Sequence, residues 1–75
     1  MLYKRSSFIT WLSKVKDCEI TPLEGRVMKI NNGPAVYAYM MVDRRDRIDY
    51  EEILKICNEL YLTSIPGDKD LIRIE

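Results

Sequence analysis

Seventy-five residues make one small domain, near the lower size at which a single apolar core outweighs chain entropy. Apolar residues supply 47% of the chain and charged residues 32%, which reads as an ordered globular domain rather than a disordered tail. A formal net charge of zero argues against promiscuous phosphate binding, and the uncharged run from Ala35 to Val42 is far shorter than the roughly 20 apolar residues a membrane-crossing helix needs.

The basic N-terminus, with Lys4 and Arg5, is followed by apolar positions that Thr10, Ser13 and Lys14 interrupt, and no small-residue cleavage site follows. A cytoplasmic protein is therefore expected. Charge is unevenly spread: up to Arg47 the chain has nine Lys or Arg against five Asp or Glu, and from Ile48 onward three against seven. The first part is basic enough to form a local patch, and the second is acidic.

In chain order, Ser6 or Ser7 is placed to cap a first helix that ends near Lys16 or Asp17. Phe8, Trp11, Leu12 and Val15 fall at the three and four spacings of a buried stripe, with Lys14 and Lys16 suited to the negative end of the helix dipole. Cys18 to Thr21 reads as a short edge strand stopped by Pro22, which has no amide to offer a ladder. Glu24-Gly25 marks a turn. Arg26 to Ile30 reads as a second strand, leading into Asn31-Asn32-Gly33-Pro34 and a third strand that ends at Val42.

Loop length decides which residues of that hairpin share a face. A three-residue loop, Asn31-Asn32-Gly33, pairs Met28 with Val36 and turns Lys29 away from the core. It sends Met28, Ile30, Val36, Ala38, Met40 and Val42 inward, and Val27, Lys29, Tyr37, Tyr39 and Met41 outward.

After the charged corner Asp43-Arg44-Arg45-Asp46-Arg47, Asp49 with Glu52 resembles a capping box for a second helix. Ile53, Ile56, Cys57, Leu60 and Tyr61 form its apolar stripe. Pro66-Gly67 then turns the chain, and residues 65–75 either form a loose tail or add an edge strand through Leu71-Ile72-Arg73-Ile74. The expected fold is α+β: a two-layer α-β-β-β-α domain over residues 1–75, with both helices on one face of a three-stranded antiparallel sheet.

That layout is the arrangement of double-stranded-RNA-binding-like domains. The opening Lys4-Arg5-Ser6-Ser7-Phe8-Ile9-Thr10-Trp11-Leu12, the strand near Cys18-Glu19-Ile20 and the late Ile48 to Leu62 helix resemble the HicA-type toxins of toxin and antitoxin pairs. The resemblance implies RNA binding. HicA-type proteins share a glycine, a small residue and a histidine opening the second strand, and that histidine supports RNA cleavage. Here the matching place is Gly25-Arg26-Val27, and the chain contains no histidine, so imidazole acid or base catalysis is excluded. A relative that binds without cleaving is what the resemblance then implies.

Two surfaces compete for function. The outward Val27, Lys29, Tyr37, Tyr39 and Met41 suit a protein partner, a second copy of the chain or stacked bases. Lys4, Arg5, Arg26, Arg44, Arg45 and Arg47 suit phosphates, although the intervening acids point to a self-paired corner. The spacing of Asp43, Asp46 and Asp49 fits neither a calcium loop nor a paired-carboxylate hydrolase, and without histidine Cys18 and Cys57 lack the partners of a zinc site, so they read as two buried hydrophobes. The expectation is a non-catalytic interaction module, a homodimer or accessory subunit without cofactor or metal, with an RNA-binding HicA-like protein as the alternative.

Overall fold

The computed structural model describes Met1 to Ile74. Its elements are β1 (Leu2–Lys4), α1 (Arg5–Lys14), β2 (Glu19–Pro22), β3 (Val27–Asn31), β4 (Tyr37–Met41), β5 (Arg47–Asp49) and α2 (Tyr50–Glu59), followed by a 3-10 turn over Asp68–Asp70. β2, β3 and β4 form the antiparallel sheet expected from the hairpin pattern. A second, two-stranded sheet pairs β1 with β5, placing Tyr3 opposite Ile48. Among the described residues no helix is long and apolar enough to cross a membrane.

One face of the larger sheet carries the core. Ile30, Ala38 and Met40 from the sheet, Phe8, Trp11 and Leu12 from α1, and Ile53, Ile56, Cys57 and Leu60 from α2 and its cap join one buried cluster, which Tyr3, Ile48 and Leu71 complete. Burying each large aliphatic or aromatic side chain contributes roughly 1.5–3 kcal/mol. The period of the pattern therefore decides the layout: Tyr37 to Met41 alternates exposed and buried, whereas the apolar positions of α2 recur on one helical face.

The hairpin register differs from the expected one. Met28 pairs with Met40 and Ile30 with Ala38, and the Asn32 amide donates to the Val36 carbonyl at 2.8 Å. The loop is thus Gly33-Pro34-Ala35, with Gly33 at φ +85°. Pro34 has no amide, so it cannot begin the returning ladder, and pairing is delayed to Val36. The slip carries the partner of Met28 from Val36 to Met40, an even number of positions, so every side chain keeps its expected face.

The start of α1 and the ends of both helices depart from expectation, while α2 starts after its expected cap. α1 begins at Arg5 without a cap from Ser6 or Ser7: Lys4 occupies the cap position, and the Ser7 hydroxyl donates to the Lys4 carbonyl at 2.6 Å. The helix stops at Lys14, which leaves Val15 exposed rather than in the stripe. Ile48 belongs to β5 and not to the second helix. Asp49 does cap α2, accepting the Glu51 amide at 3.0 Å, and this is the half of the predicted box that forms among the described residues. Tyr61, expected inward, lies just past the helix at φ +55° and is 79% exposed.

The tail runs along β1. Lys4 donates to the Ile72 carbonyl at 2.7 Å and Ile74 to the Leu2 carbonyl at 2.8 Å, around a single bridge between Tyr3 and Arg73. The tail up to Ile74 therefore extends the small sheet, and among the described residues nothing covers the outer face of β2-β3-β4.

Candidate functional site

The outer face is set by two registers. Lys29 lies between Thr21 and Tyr39, and Asn31 lies between Glu19 and Tyr37. Val27 pairs with Met41, and the Leu23 amide donates to the Val27 carbonyl at 2.9 Å. All five residues singled out from the sequence thus come together here. Tyr37, Tyr39 and Met41 are 49%, 53% and 64% exposed, while Val27 and Lys29 are half-buried between their neighbours.

The Tyr37 and Tyr39 rings meet edge to face at 5.5 Å, and the Lys29 Nζ sits 4.6 Å from the centre of the Tyr37 ring. Such an arrangement favours a preordered patch, since the ring quadrupole attracts both a ring edge and an ammonium. Its chemistry is that of contact. It offers aromatic surface, a thioether and one cation.

The basic residues separate into three situations. Arg5 is 2% exposed, and its guanidinium donates to the Asp43 carbonyl, so it is withdrawn from the surface expected of a phosphate ligand. Arg47 pairs with Asp43 at 3.3 Å. Arg44, Arg45, Arg26 and Lys4 are exposed. Register gathers them at one end of the molecule: the Val42 amide donates to the Arg26 carbonyl at 2.7 Å, next to Asp43 and Arg44, and Lys4 pairs with Arg47.

The acids of the corner do more than pair with its arginines. Asp43 accepts the Arg45 amide at 3.1 Å, and this bond, with the Arg47 guanidinium, holds its carboxyl below the usual carboxylate range against the opposing effect of burial. Asp46 accepts from both the amide and the hydroxyl of Ser6, at 3.1 Å and 2.7 Å. It therefore supplies α1 with the cap that the helix lacks locally. Asp49 is committed to α2. The self-paired corner is thus realised in one ion pair, and Arg44 and Arg45 have no acidic partner among the described residues.

Two further features concern reactivity. Burial pushes the Cys57 thiol up to about 11 and also raises that of Cys18, so both are protonated at neutral pH and behave as the small hydrophobes expected. The Tyr3 hydroxyl donates to Asp68 at 2.9 Å, a bond that raises the Tyr3 pKa while tying the tail to β1.

The sequence reading missed two places. An apolar concavity beside α1 is lined by Thr10, Trp11, Val15 and Ile72. Its only signal was Val15 lying at the expected end of the helix. A polar groove also follows the unpaired side of β4, lined by Tyr39, Glu51, Glu52, Lys55, Ile56 and Glu59. Its charges come from the outer turns of α2, whose spacing was visible but whose position against β4 required the fold.

No protein-family profile matches the chain, no curated protein matches it, and no solved structure matches it.

Proposed function

We propose that this chain is a small non-catalytic interaction module, an accessory subunit that engages a protein partner through the outer face of its three-stranded sheet. The observation that carries this reading is the exposed row of Tyr37, Tyr39 and Met41, which among the described residues neither helix nor the tail shields. In a domain this small, an ordered aromatic face turned to solvent is a standing cost unless something docks there.

The test is Tyr39→Glu, compared with wild type in affinity purification from the native host, with circular dichroism to verify the fold. The expected result is a stoichiometric protein partner recovered with wild type and lost with the variant. Equal recovery removes the outer face as the interface. Light scattering of the purified chain separates a homodimer from an accessory subunit.

RNA binding is the second reading, supported by the grouping of Arg26, Arg44, Arg45, Arg47 and Lys4 at the end of the same sheet and by the HicA-like layout. Tyr37 and Tyr39 would then stack unpaired bases while the arginines hold phosphates. It predicts salt-sensitive binding of single-stranded RNA, weakened by Arg44→Ala with Arg45→Ala. No gel shift at low salt eliminates it.

A further inference from the structure

The two long edges of the larger sheet are finished differently. Along an antiparallel strand, alternate residues turn their amide and carbonyl toward one neighbour and then the other. The bonds from Asn32 to Val36 and from Val42 to Arg26 show that the even-numbered residues of β4 bond toward β3. Tyr37, Tyr39 and Met41 therefore direct their main-chain groups to the free side. On β2 the bond from Leu23 to Val27 puts the odd-numbered residues toward β3, which leaves Ile20 and Pro22 on that free edge.

Pro22 has no amide, so the β2 edge is blunted in the way that discourages strand addition. The β4 edge has no proline, and its regular pairing runs through all five residues. One edge is closed to a further strand and the other is open.

A strand added at β4 meets two environments. Its side chains on the outer face continue the row of Tyr37, Tyr39 and Met41. Those on the inner side enter the groove of about 500 Å³ beside α2, where Glu51, Glu52 and Glu59 outnumber the single cation Lys55. Glu52 also lines the adjoining concavity that reaches Met41 and Asp49, so the acidic lining continues along the strand. A second copy fits this edge poorly, because its inward residues would be Ala38 and Met40, and two acidic α2 helices would face one another.

We infer that the free edge of β4 binds an extended segment of a protein partner whose side chains alternate between apolar and basic, the apolar ones outward and the basic ones toward α2. The inference rests on the interaction-module reading and names its partner chemistry. Main-chain bonds to β4 supply attachment, and the acidic groove selects the side chains.

The probe is a fluorescent peptide of about eight residues alternating lysine and valine, the span of an ordinary strand, with a glutamate and valine peptide as control. Fluorescence anisotropy at low ionic strength is expected to show binding of the lysine peptide alone, and hydrogen exchange is expected to show the amides of Tyr37, Tyr39 and Met41 newly protected. Tyr39→Pro removes the donor that faces the free edge together with the ring, a side-chain loss for which Tyr39→Ala is the control, and Glu52→Gln with Glu59→Gln removes groove charge without touching the sheet. Tyr39→Pro, measured against Tyr39→Ala, and the glutamine pair are each expected to weaken binding at least tenfold.

Equal binding of the glutamate peptide, no binding of either, or binding without protection of those amides overturns the inference. Lys29→Glu separates the two readings, since Lys29 lies on the outer face with its own amide bonded within the sheet. If Lys29→Glu abolishes capture of the native partner and the lysine peptide fails to bind, the face is right and the edge is wrong. If the lysine peptide binds with amide protection while Lys29→Glu and Tyr39→Glu leave native capture intact, the edge survives and the face does not.

Discussion

Replacing Asp46 tests how the corner holds α1. Three functions converge on this residue: its carboxylate accepts from the amide and hydroxyl of Ser6, its carbonyl accepts the Arg5 amide at 2.8 Å, and its backbone sits at φ +56°. Any substitute keeps the carbonyl. Losing a helix cap costs about 1 kcal/mol, and placing alanine in the left-handed region costs about 1–2 kcal/mol, which aspartate, with its locally bonding side chain, partly avoids. Asp46→Ala is therefore expected to lose about 2–3 kcal/mol. Asp46→Gly loses the cap but relaxes the backbone, for about 1 kcal/mol, and Asp46→Asn keeps one oxygen for the Ser6 amide while losing the second acceptor and the favourable charge at the helix start, for about 0.5–1 kcal/mol. A domain of this length has roughly 4–11 kcal/mol in total, so the alanine variant should melt about 10–20 °C below wild type. Urea titration followed by circular dichroism measures the series. The reasoning fails if alanine and glycine are equally destabilising, or if alanine lies within about 0.5 kcal/mol of wild type, a gap too small for these two costs.

Three other outcomes are expected. Tyr61→Gly, at an exposed residue held at φ +55°, should raise stability by about 0.5–1 kcal/mol in thermal melts, since glycine suits this position after a helix and little buried area is lost; an unchanged or lower melting temperature contradicts that. Cys57, with its thiol near 11 and its side chain buried, should resist iodoacetamide at pH 8 until urea unfolds the chain, and rapid labelling of the native protein would show the burial to be wrong. Asp43 has a folded pKa below its unfolded value of about 3.9, so its stabilising effect is present above that value and is lost as pH falls through the folded pKa. The urea midpoint should drop more steeply between pH 4 and pH 2 in wild type than in Asp43→Asn, and parallel curves would refute the assignment.

Much of this was legible in the residues. Period decided the elements: Ile53, Ile56, Cys57 and Leu60 could only share a helical face, and Tyr37, Tyr39 and Met41 could only share the face opposite Ala38 and Met40. The face assignment survived an incorrect hairpin register because the slip was even. What stayed hidden was long-range. β1 and β5 have three residues each and acquire their identity only by pairing across most of the chain. The burial of Arg5 was equally invisible, because an arginine beside a lysine reads as surface until the Asp43 carbonyl is brought over it. Local rules likewise put the α1 cap on Ser6 or Ser7, whereas the acceptor comes from Asp46, forty residues away.

The charged corner first reads as a binding site, and its structural role explains why the better candidate lies upstream. After Met41 the chain is turned aside: the Asp46 amide donates to the Asp43 carbonyl at 3.0 Å, Arg5 holds that same carbonyl, and Asp46 is fastened to the start of α1. These bonds deliver β5 to β1 rather than to the free side of β4. Had the chain returned as an ordinary hairpin, β5 would have filled that side and covered the main-chain groups of Tyr39 and Met41. The clamp thus keeps the edge open, and the same turn brings the acidic start of α2 alongside it, through Asp49 and Glu52. Arginines and acids that look like a ligand site in the sequence act through the backbone they redirect. A variant that loosens the clamp without unfolding the core, such as Asp46→Gly, should therefore speed hydrogen exchange at Val42, whose amide bonds to the Arg26 carbonyl where β4 enters the corner, before it speeds exchange at the buried Ile30 and Met40. Uniform change across all three would mean that corner and edge are not coupled.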